Sequence, residues 1–215
     1  MRSLREAYVR QALWGDRSDH WSGPPEMVER IARVLRTKRS HRVLDVGCGL
    51  GGPARRLVRL VGCRVVGVDV VEEVVRAAEA RPGPAVRYVA AEAGRLPVGD
   101  ATFDQVWCLG ALAHVQIGPF ASECARVLAG AGQVAITEAF AAGADEPRFG
   151  RTAPRPWRAV PVEEAIGALE KAGLVDVRVL PWPGDVRRAP PSDPALADDL
   201  ADGRLISRLV VARRR

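Results

Sequence analysis

Val43-Leu44-Asp45-Val46-Gly47-Cys48-Gly49-Leu50-Gly51-Gly52-Pro53-Ala54-Arg55 is the stretch on which the fold of this chain turns. The apolar run Arg42–Val46 reads as a buried strand and the glycines after it as a tight turn. Pro53 sits where the first turn of a helix tolerates a missing N–H, so a helix is expected from about Gly52 to Leu60. Gly47, Gly49 and Gly52 satisfy G-x-G-x-x-G, and Asp69 ends the next apolar run 22 positions beyond Gly47. That spacing is near the ~20 residues that separate such a loop from a ribose-binding acid. Taken alone, the pattern fits a nicotinamide or flavin dinucleotide.

Working outward, strand and helix patterns alternate. Strands are expected at Arg64–Asp69, Val86–Ala90, Phe103–Leu109, Gln133–Phe140, Val175–Leu180 and Leu205–Ala212. Helices are expected at Glu72–Ala80, Phe120–Leu128 and Val162–Lys171. Apolar strands separated by helices imply an α/β fold with a doubly wound, seven-stranded, mostly parallel sheet. The link from Pro181 to Gly203 carries five prolines and is expected to lack regular structure, so the last strand should enter the sheet antiparallel. Residues 1–39 read as a helical cap, with Pro24-Pro25 opening its second helix, placed over the ligand crevice. Residues 40–215 read as the ligand-binding domain, the two forming one compact unit.

Asp45 discriminates between ligands. It lies two residues before the first glycine and points toward the loop, where a dinucleotide would place its pyrophosphate. A carboxylate ~4 Å from a phosphate charge opposes it by ~4 kcal/mol at a surface-like dielectric. S-adenosylmethionine has no phosphate and offers an ammonium and a sulfonium, which the same acid attracts. The alternative is that Asp45 only caps the helix or ties down the loop.

The run V-L-D-V-G-C-G-L-G-G resembles motif I of the class I S-adenosylmethionine-dependent methyltransferases, and the similarity extends over most of the chain from Arg42 onward. Gly67-Val68-Asp69-Val70 is similar to that family's second-strand motif, whose acid binds the ribose hydroxyls. Glu92-Ala93-Gly94-Arg95-Leu96-Pro97, followed by Asp100-Ala101-Thr102-Phe103-Asp104, resembles its D-A-x-x-L-P-F-x-D-x-S-F-D segment. There the first acid contacts the adenine amino group, which makes Glu92 the counterpart here, with Ala91 and Ala93 beside it. Arg126-Val127-Leu128 resembles its R-V-L-x-P-G-G, with Ala131 where proline is common. The resemblance implies a Rossmann-like methyltransferase fold and a cofactor site of Asp45, Gly47, Cys48, Gly49, Asp69, Val70, Ala91, Glu92, Ala93 and Leu109. The L-G-G-P-A-R variant is closest to the small-molecule branch, which contains sterol, quinone, amine and natural-product methyltransferases. Two departures stand out: Gly110 occupies a position where that branch often carries an acid, and the lid region, residues 141–160, is short.

Methyl transfer needs the acceptor held in line with the sulfonium and water kept out; proximity and orientation supply ~7–11 kcal/mol. A base is needed only for acceptors that must lose a proton. Of three histidines, His41 precedes the first strand, and His114 follows the fourth strand on the ligand side. His114 is therefore the candidate catalytic residue, the alternative being a histidine bonded to a loop carbonyl. His20, Trp21, Glu138 and Trp157 are the substrate-binding candidates, and Trp14 is explained as easily by packing in the cap. Glu138 can bind a cation, take a proton or hydrogen-bond a loop. Arg151, Arg155 and Arg158 can attract an acidic acceptor or form an exposed face.

Composition sets the remaining bounds. The 215 residues are 47% hydrophobic and 27% charged, a globular composition, with 32 basic against 26 acidic side chains. Three of the six excess charges, Arg213, Arg214 and Arg215, read as a solvated tail. The other basic residues are spread out, with no block rich in both arginine and aromatics, which argues against a nucleic-acid partner. No apolar run has the ~20 residues of a membrane span, and the N-terminus lacks a secretory pattern. Cys48, Cys63, Cys108 and Cys124 form no zinc spacing and read as reduced thiols of a cytoplasmic protein. The expected function is methyl transfer from S-adenosylmethionine, yielding S-adenosylhomocysteine, to an O, N or C atom of a small molecule, by a metal-free monomer or homodimer. The alternatives are a same-fold enzyme performing a cyclisation or decarboxylation, and a non-catalytic partner subunit.

Overall fold

A computed structural model of the chain describes residues 26–142, 147, 158–182 and 194–215. The elements in order are α1 (Glu26–Val34), β1 (Arg42–Val46), α2 (Gly52–Val61), β2 (Arg64–Asp69), α3 (Glu72–Glu79), β3 (Arg87–Ala90) and β4 (Phe103–Leu109). A short 3-10 turn (Leu112–His114) leads into α4 (Ile117–Val127), β5 (Leu128–Ala141), α5 (Val162–Lys171), β6 (Leu174–Pro181), α6 (Pro194–Ala201) and β7 (Leu205–Arg214). The seven strands form one sheet in the order β3-β2-β1-β4-β5-β7-β6. Strands β1 to β5 pair in parallel, while β7 runs antiparallel to both β5 and β6. The strand order reverses between β1 and β4, and ligands of open parallel sheets bind at the carboxyl ends beside such a reversal.

The alternation of side chains along each strand sorts the core into two layers. Val43, Val65, Trp107, Ala135, Leu209 and Val211 face α1 and α2, whose Val28, Ile31 and Leu57 pack against them. Leu44, Val106, Cys108, Val134, Ile136 and Val210 face the opposite way, onto Phe120, Cys124 and Val127 of α4 and Leu169 of α5. Strands buried on both faces have the near-continuous apolar character seen in the sequence. Helix α2 starts at Gly51, in the left-handed conformation (φ 73°), with Pro53 in its first turn; it ends at Gly62 (φ 74°), whose N–H reaches the Val58 carbonyl at 2.8 Å.

Several local expectations are corrected. The segment after Pro181 contains α6, because the prolines end at Pro194, which opens the helix where its missing N–H costs nothing. Arg213 and Arg214 are not a solvated tail. They belong to β7, paired with Gln133 and Leu174; Arg213 forms an ion pair with Asp176 and Arg214 donates to the Leu128 carbonyl. The strand continues because both neighbours satisfy its backbone, leaving only the charged tips at the edge. Helix α4 begins at Ile117, ahead of the expected Phe120, with Pro119 in its first turn, and β5 begins at Leu128, ahead of the expected Gln133. Of the segment read as a cap, the described helix α1 packs on the sheet face with Val43, Trp107 and Leu209. The amide of Gln105, fully buried, fixes its end: Nε2 donates to the Leu35 carbonyl (3.1 Å), and Oε1 accepts from the Thr37 hydroxyl (2.9 Å) and the Trp107 indole (3.2 Å). His41 sits at this amino-terminal edge, 3.4 Å from the same amide. Residues 1–25, including His20, Trp21 and Trp14, and residues 148–157, including Trp157, Arg151 and Arg155, lie outside the described residues.

Candidate cofactor-binding crevice

The loop between β1 and α2 is fixed by its own amides. The N–H groups of Gly47 and Cys48 both donate to the Val68 carbonyl on β2, at 2.7 and 3.0 Å. Gly47 has φ 74°, and a Cβ there would stand 2.4 Å from the Ala111 Cβ. Glycine takes that conformation without steric cost, and its missing Cβ lets the loops after β1 and β4 meet at the reversal of strand order. Gly49 donates its N–H to Asp69 Oδ2 and Val71 donates to Oδ1, both at 3.0 Å. Asp69 thus ties the glycine loop to the loop after β2, and its own carbonyl accepts the Ala91 N–H at 3.0 Å. A carboxylate is an acceptor with about four lone-pair sites, so an acid can accept from ribose hydroxyls as well as from amides.

Asp45 is 3% exposed, and its Oδ2 is buried with no hydrogen-bond partner. Burial, then the Asp69 charge, pushes its carboxyl up to about 7. An orphaned buried acceptor is costly unless a donor or a cation arrives. A ligand ammonium at this loop supplies positive charge; a pyrophosphate adds to the repulsion between the two acids. The residues present therefore fit S-adenosylmethionine. Cys48 contributes through its backbone, since its side chain turns under the sheet into a cluster with Val75, Ala78 and Tyr88. Burial and then the Asp45 charge hold its thiol well above the ordinary range, so it is no nucleophile. Cys63, Cys108 and Cys124 are likewise free and buried.

The remaining predicted cofactor residues line the same carboxyl edge. Val70 is 65% exposed at the end of β2, Ala91 and Ala93 are half-buried after β3, and Glu92 between them is exposed. Leu109 is buried at the end of β4, where Gly110 (φ 67°) donates to the Thr137 carbonyl at 2.8 Å. The segment carrying Glu92 is clamped from behind by α4: Arg126 reaches the carbonyls of Leu96 (3.0 Å) and Val98 (2.8 Å) and the Asp100 carboxylate (2.7 Å). Glu123 accepts the Leu96 N–H at 2.6 Å, and its bond to Arg126 holds its carboxyl below the usual range.

His114 closes the 3-10 turn after β4, half-buried. Glu138 supports that turn: Oε2 accepts the Ala113 N–H (3.1 Å) and Oε1 the Ala139 N–H (3.0 Å). Arg158 is paired with Glu164 at 2.6 and 2.9 Å. Arg55 and Tyr88, to which the sequence reading gave no role, lie beneath the glycine loop. Arg55 closes the L-G-G-P-A-R run and Tyr88 stands at no telling spacing; the hint is in the glycines, Gly51 and Gly67 making room for Tyr88 and Gly83 for Arg55.

Residues 44–136 match the family model described as a methyltransferase domain. The chain is 34% identical over 118 residues to methyltransferase GfsG of Streptomyces halstedii, covering 52% of this chain and 42% of that protein. It is 32% identical over 140 residues to the 27-O-demethylrifamycin SV methyltransferase of Amycolatopsis mediterranei, covering 58% and 52%. The matched stretch thus spans about half the length of these curated relatives. Among solved structures, the [4+2]-cyclase SpnF superposes with a TM-score of 0.70 at 21% identity, covering 100% of this chain and 94% of that one, a likeness of fold. The glycine loop and the acid ending β2 both lie within residues 44–136, the stretch over which the chain matches a methyltransferase domain.

Proposed function

We propose that the protein transfers the methyl group of S-adenosylmethionine to an oxygen, nitrogen or carbon atom of a small molecule and releases S-adenosylhomocysteine. The observation that carries this reading is Asp45, a buried carboxylate with an orphaned oxygen at the mouth of a glycine loop. Gly47, Cys48 and Gly49 hold the aminoacyl end through their backbone. Asp69 takes the ribose hydroxyls, and Val70, Ala91, Glu92, Ala93 and Leu109 surround the adenine. When bound, the cofactor supplies the activated methyl group. The chain itself supplies in-line placement and a dry crevice. His114 takes a proton at a ring nitrogen from acceptors that must lose one, with its turn held by Glu138. His20, Trp21, Glu138 and Trp157 make up the acceptor side.

Support for a small-molecule acceptor comes from the relatives, one of them named for a demethylrifamycin. The same reading puts the enzyme in the cytoplasm, in a biosynthetic role, as a monomer or homodimer without nucleic acid. No helix among the described residues is long and apolar enough to cross a membrane. A second reading, a non-methylating enzyme on the same cofactor, draws on Gly110, which stands where the small-molecule branch often carries an acid; fold does not fix chemistry. Calorimetry with S-adenosylhomocysteine and NADH tests the first reading: binding of the former and none of the latter is expected, and the reverse overturns it. Release of S-adenosylhomocysteine with a methylated product separates methyl transfer from the second reading.

A further inference from the structure

Beneath the glycine loop, on the sheet face covered by α2 and α3, two large polar side chains fill space that three glycines leave open. Tyr88 on β3 is paired with Gly67 on β2, and Gly67 with Asp45 on β1. A Cβ on Gly67 would come within 2.6 Å of the Tyr88 ring, and one on Gly51 within 2.0 Å of its hydroxyl. A Cβ on Gly83 would come within 2.8 Å of Arg55 Cδ. Arg55, on α2, is only 4% exposed. Its Nη1 donates to the Leu50 carbonyl at 2.7 Å and to the Tyr88 hydroxyl at 3.3 Å, and that hydroxyl donates onward to the Gly51 carbonyl at 3.4 Å. An apolar side chain would fill the same volume without the cost of burying a cation. What the guanidinium and phenol add is a grip on two loop carbonyls.

We propose that Arg55 and Tyr88 are positioning residues that set the conformation of the glycine loop for cofactor binding. The amides of Gly47, Cys48 and Gly49 tie the loop to β2 on one side. Arg55 and Tyr88 tie the carbonyls of Leu50 and Gly51 on the other. With both sides held, the loop meets the ligand without ordering itself first, which is where preorganisation gains affinity. This inference rests on the methyltransferase reading for the identity of the ligand, though not for the grip itself.

The test uses the full chain and the variants Tyr88→Phe, Arg55→Met and Arg55→Lys. Two measurements are made: calorimetric affinity for S-adenosylhomocysteine, and hydrogen exchange of the Gly49 and Gly51 amides in the ligand-free protein. Tyr88→Phe should weaken binding about threefold to tenfold, and Arg55→Met about tenfold or more, in line with a neutral and a charged hydrogen bond lost. Arg55→Lys should recover part of the Arg55→Met loss. Exchange at Gly49 and Gly51 should accelerate in each variant while amides in the centre of β4 keep their protection. Folded variants with parental affinity and unchanged loop exchange overturn the proposal. If Arg55→Met does not fold, Tyr88→Phe and Arg55→Lys decide. If the parent protein does not bind S-adenosylhomocysteine, the methyltransferase reading falls, and loop exchange alone still decides whether these residues position the loop.

Discussion

Replacing Asp45 by asparagine keeps the shape of the side chain and removes its charge. In the folded protein the Asp45 carboxyl titrates at about 7, against an ordinary value of 3.8, because burial and then Asp69 disfavour its ionised form. Between those two values the unfolded chain has released its proton and the folded chain has kept it, so stability falls as pH rises. Three pH units correspond to a total loss of about 4 kcal/mol, of which about 2–3 kcal/mol falls between pH 5 and pH 8. Asparagine does not titrate there. Urea unfolding of ligand-free protein at pH 5, 6.5 and 8 should show the parent losing about 2–3 kcal/mol relative to Asp45→Asn over that window. Ligand binding should run the other way. The parent should bind S-adenosylhomocysteine more tightly as pH rises through 7, when the carboxylate is available to the ammonium, and the variant should bind about tenfold or more weakly at pH 8. Stability profiles of parent and variant that stay parallel from pH 5 to pH 8 would refute the reasoning, since a carboxylate ionised throughout cannot be the strained group described.

Asp69→Ala removes the acceptor of the Gly49 and Val71 amides as well as the proposed ribose partner. Calorimetry should show S-adenosylhomocysteine affinity at least about tenfold lower, and an unchanged dissociation constant in a folded variant removes Asp69 from the site. His114→Ala should lower turnover ~10²–10⁴-fold while leaving cofactor affinity near the parental value; near-normal turnover makes the histidine structural. Gln105→Leu leaves the Leu35 carbonyl and the Trp107 indole without their partner. It should cost about 2–4 kcal/mol in chemical unfolding without altering cofactor affinity, because it lies at the amino-terminal edge of the sheet. A loss of affinity with full stability would contradict that placement.

What could be read without the structure was what neighbouring residues encode. The period of apolar residues placed β4 at Phe103–Leu109 and α5 at Val162–Lys171 with their observed bounds. The glycine loop was legible because Gly47 and Gly51 need backbone angles that few other residues adopt. The doubly wound class followed from the alternation of strands and helices. Tertiary structure decided whatever depends on segments far apart in sequence. Arg213 and Arg214 look like a tail until β5 and β6 offer their backbones, and the proline-rich link hides α6, whose Asp199 is buried against Arg204. Helix α1 reads as part of a cap, yet the apolar face formed by β1, β4 and β7 draws it onto the sheet. Nothing local to Arg55 or Tyr88 announces that they meet under the loop; β3 must lie beside β2, and Gly51, Gly67 and Gly83 must all open space at one point. Asp45 shows both halves: its charge and its place before the glycines are written in the chain, while its orphaned oxygen and raised pKa exist only once β2 brings Asp69 alongside and the packed sheet shuts out water.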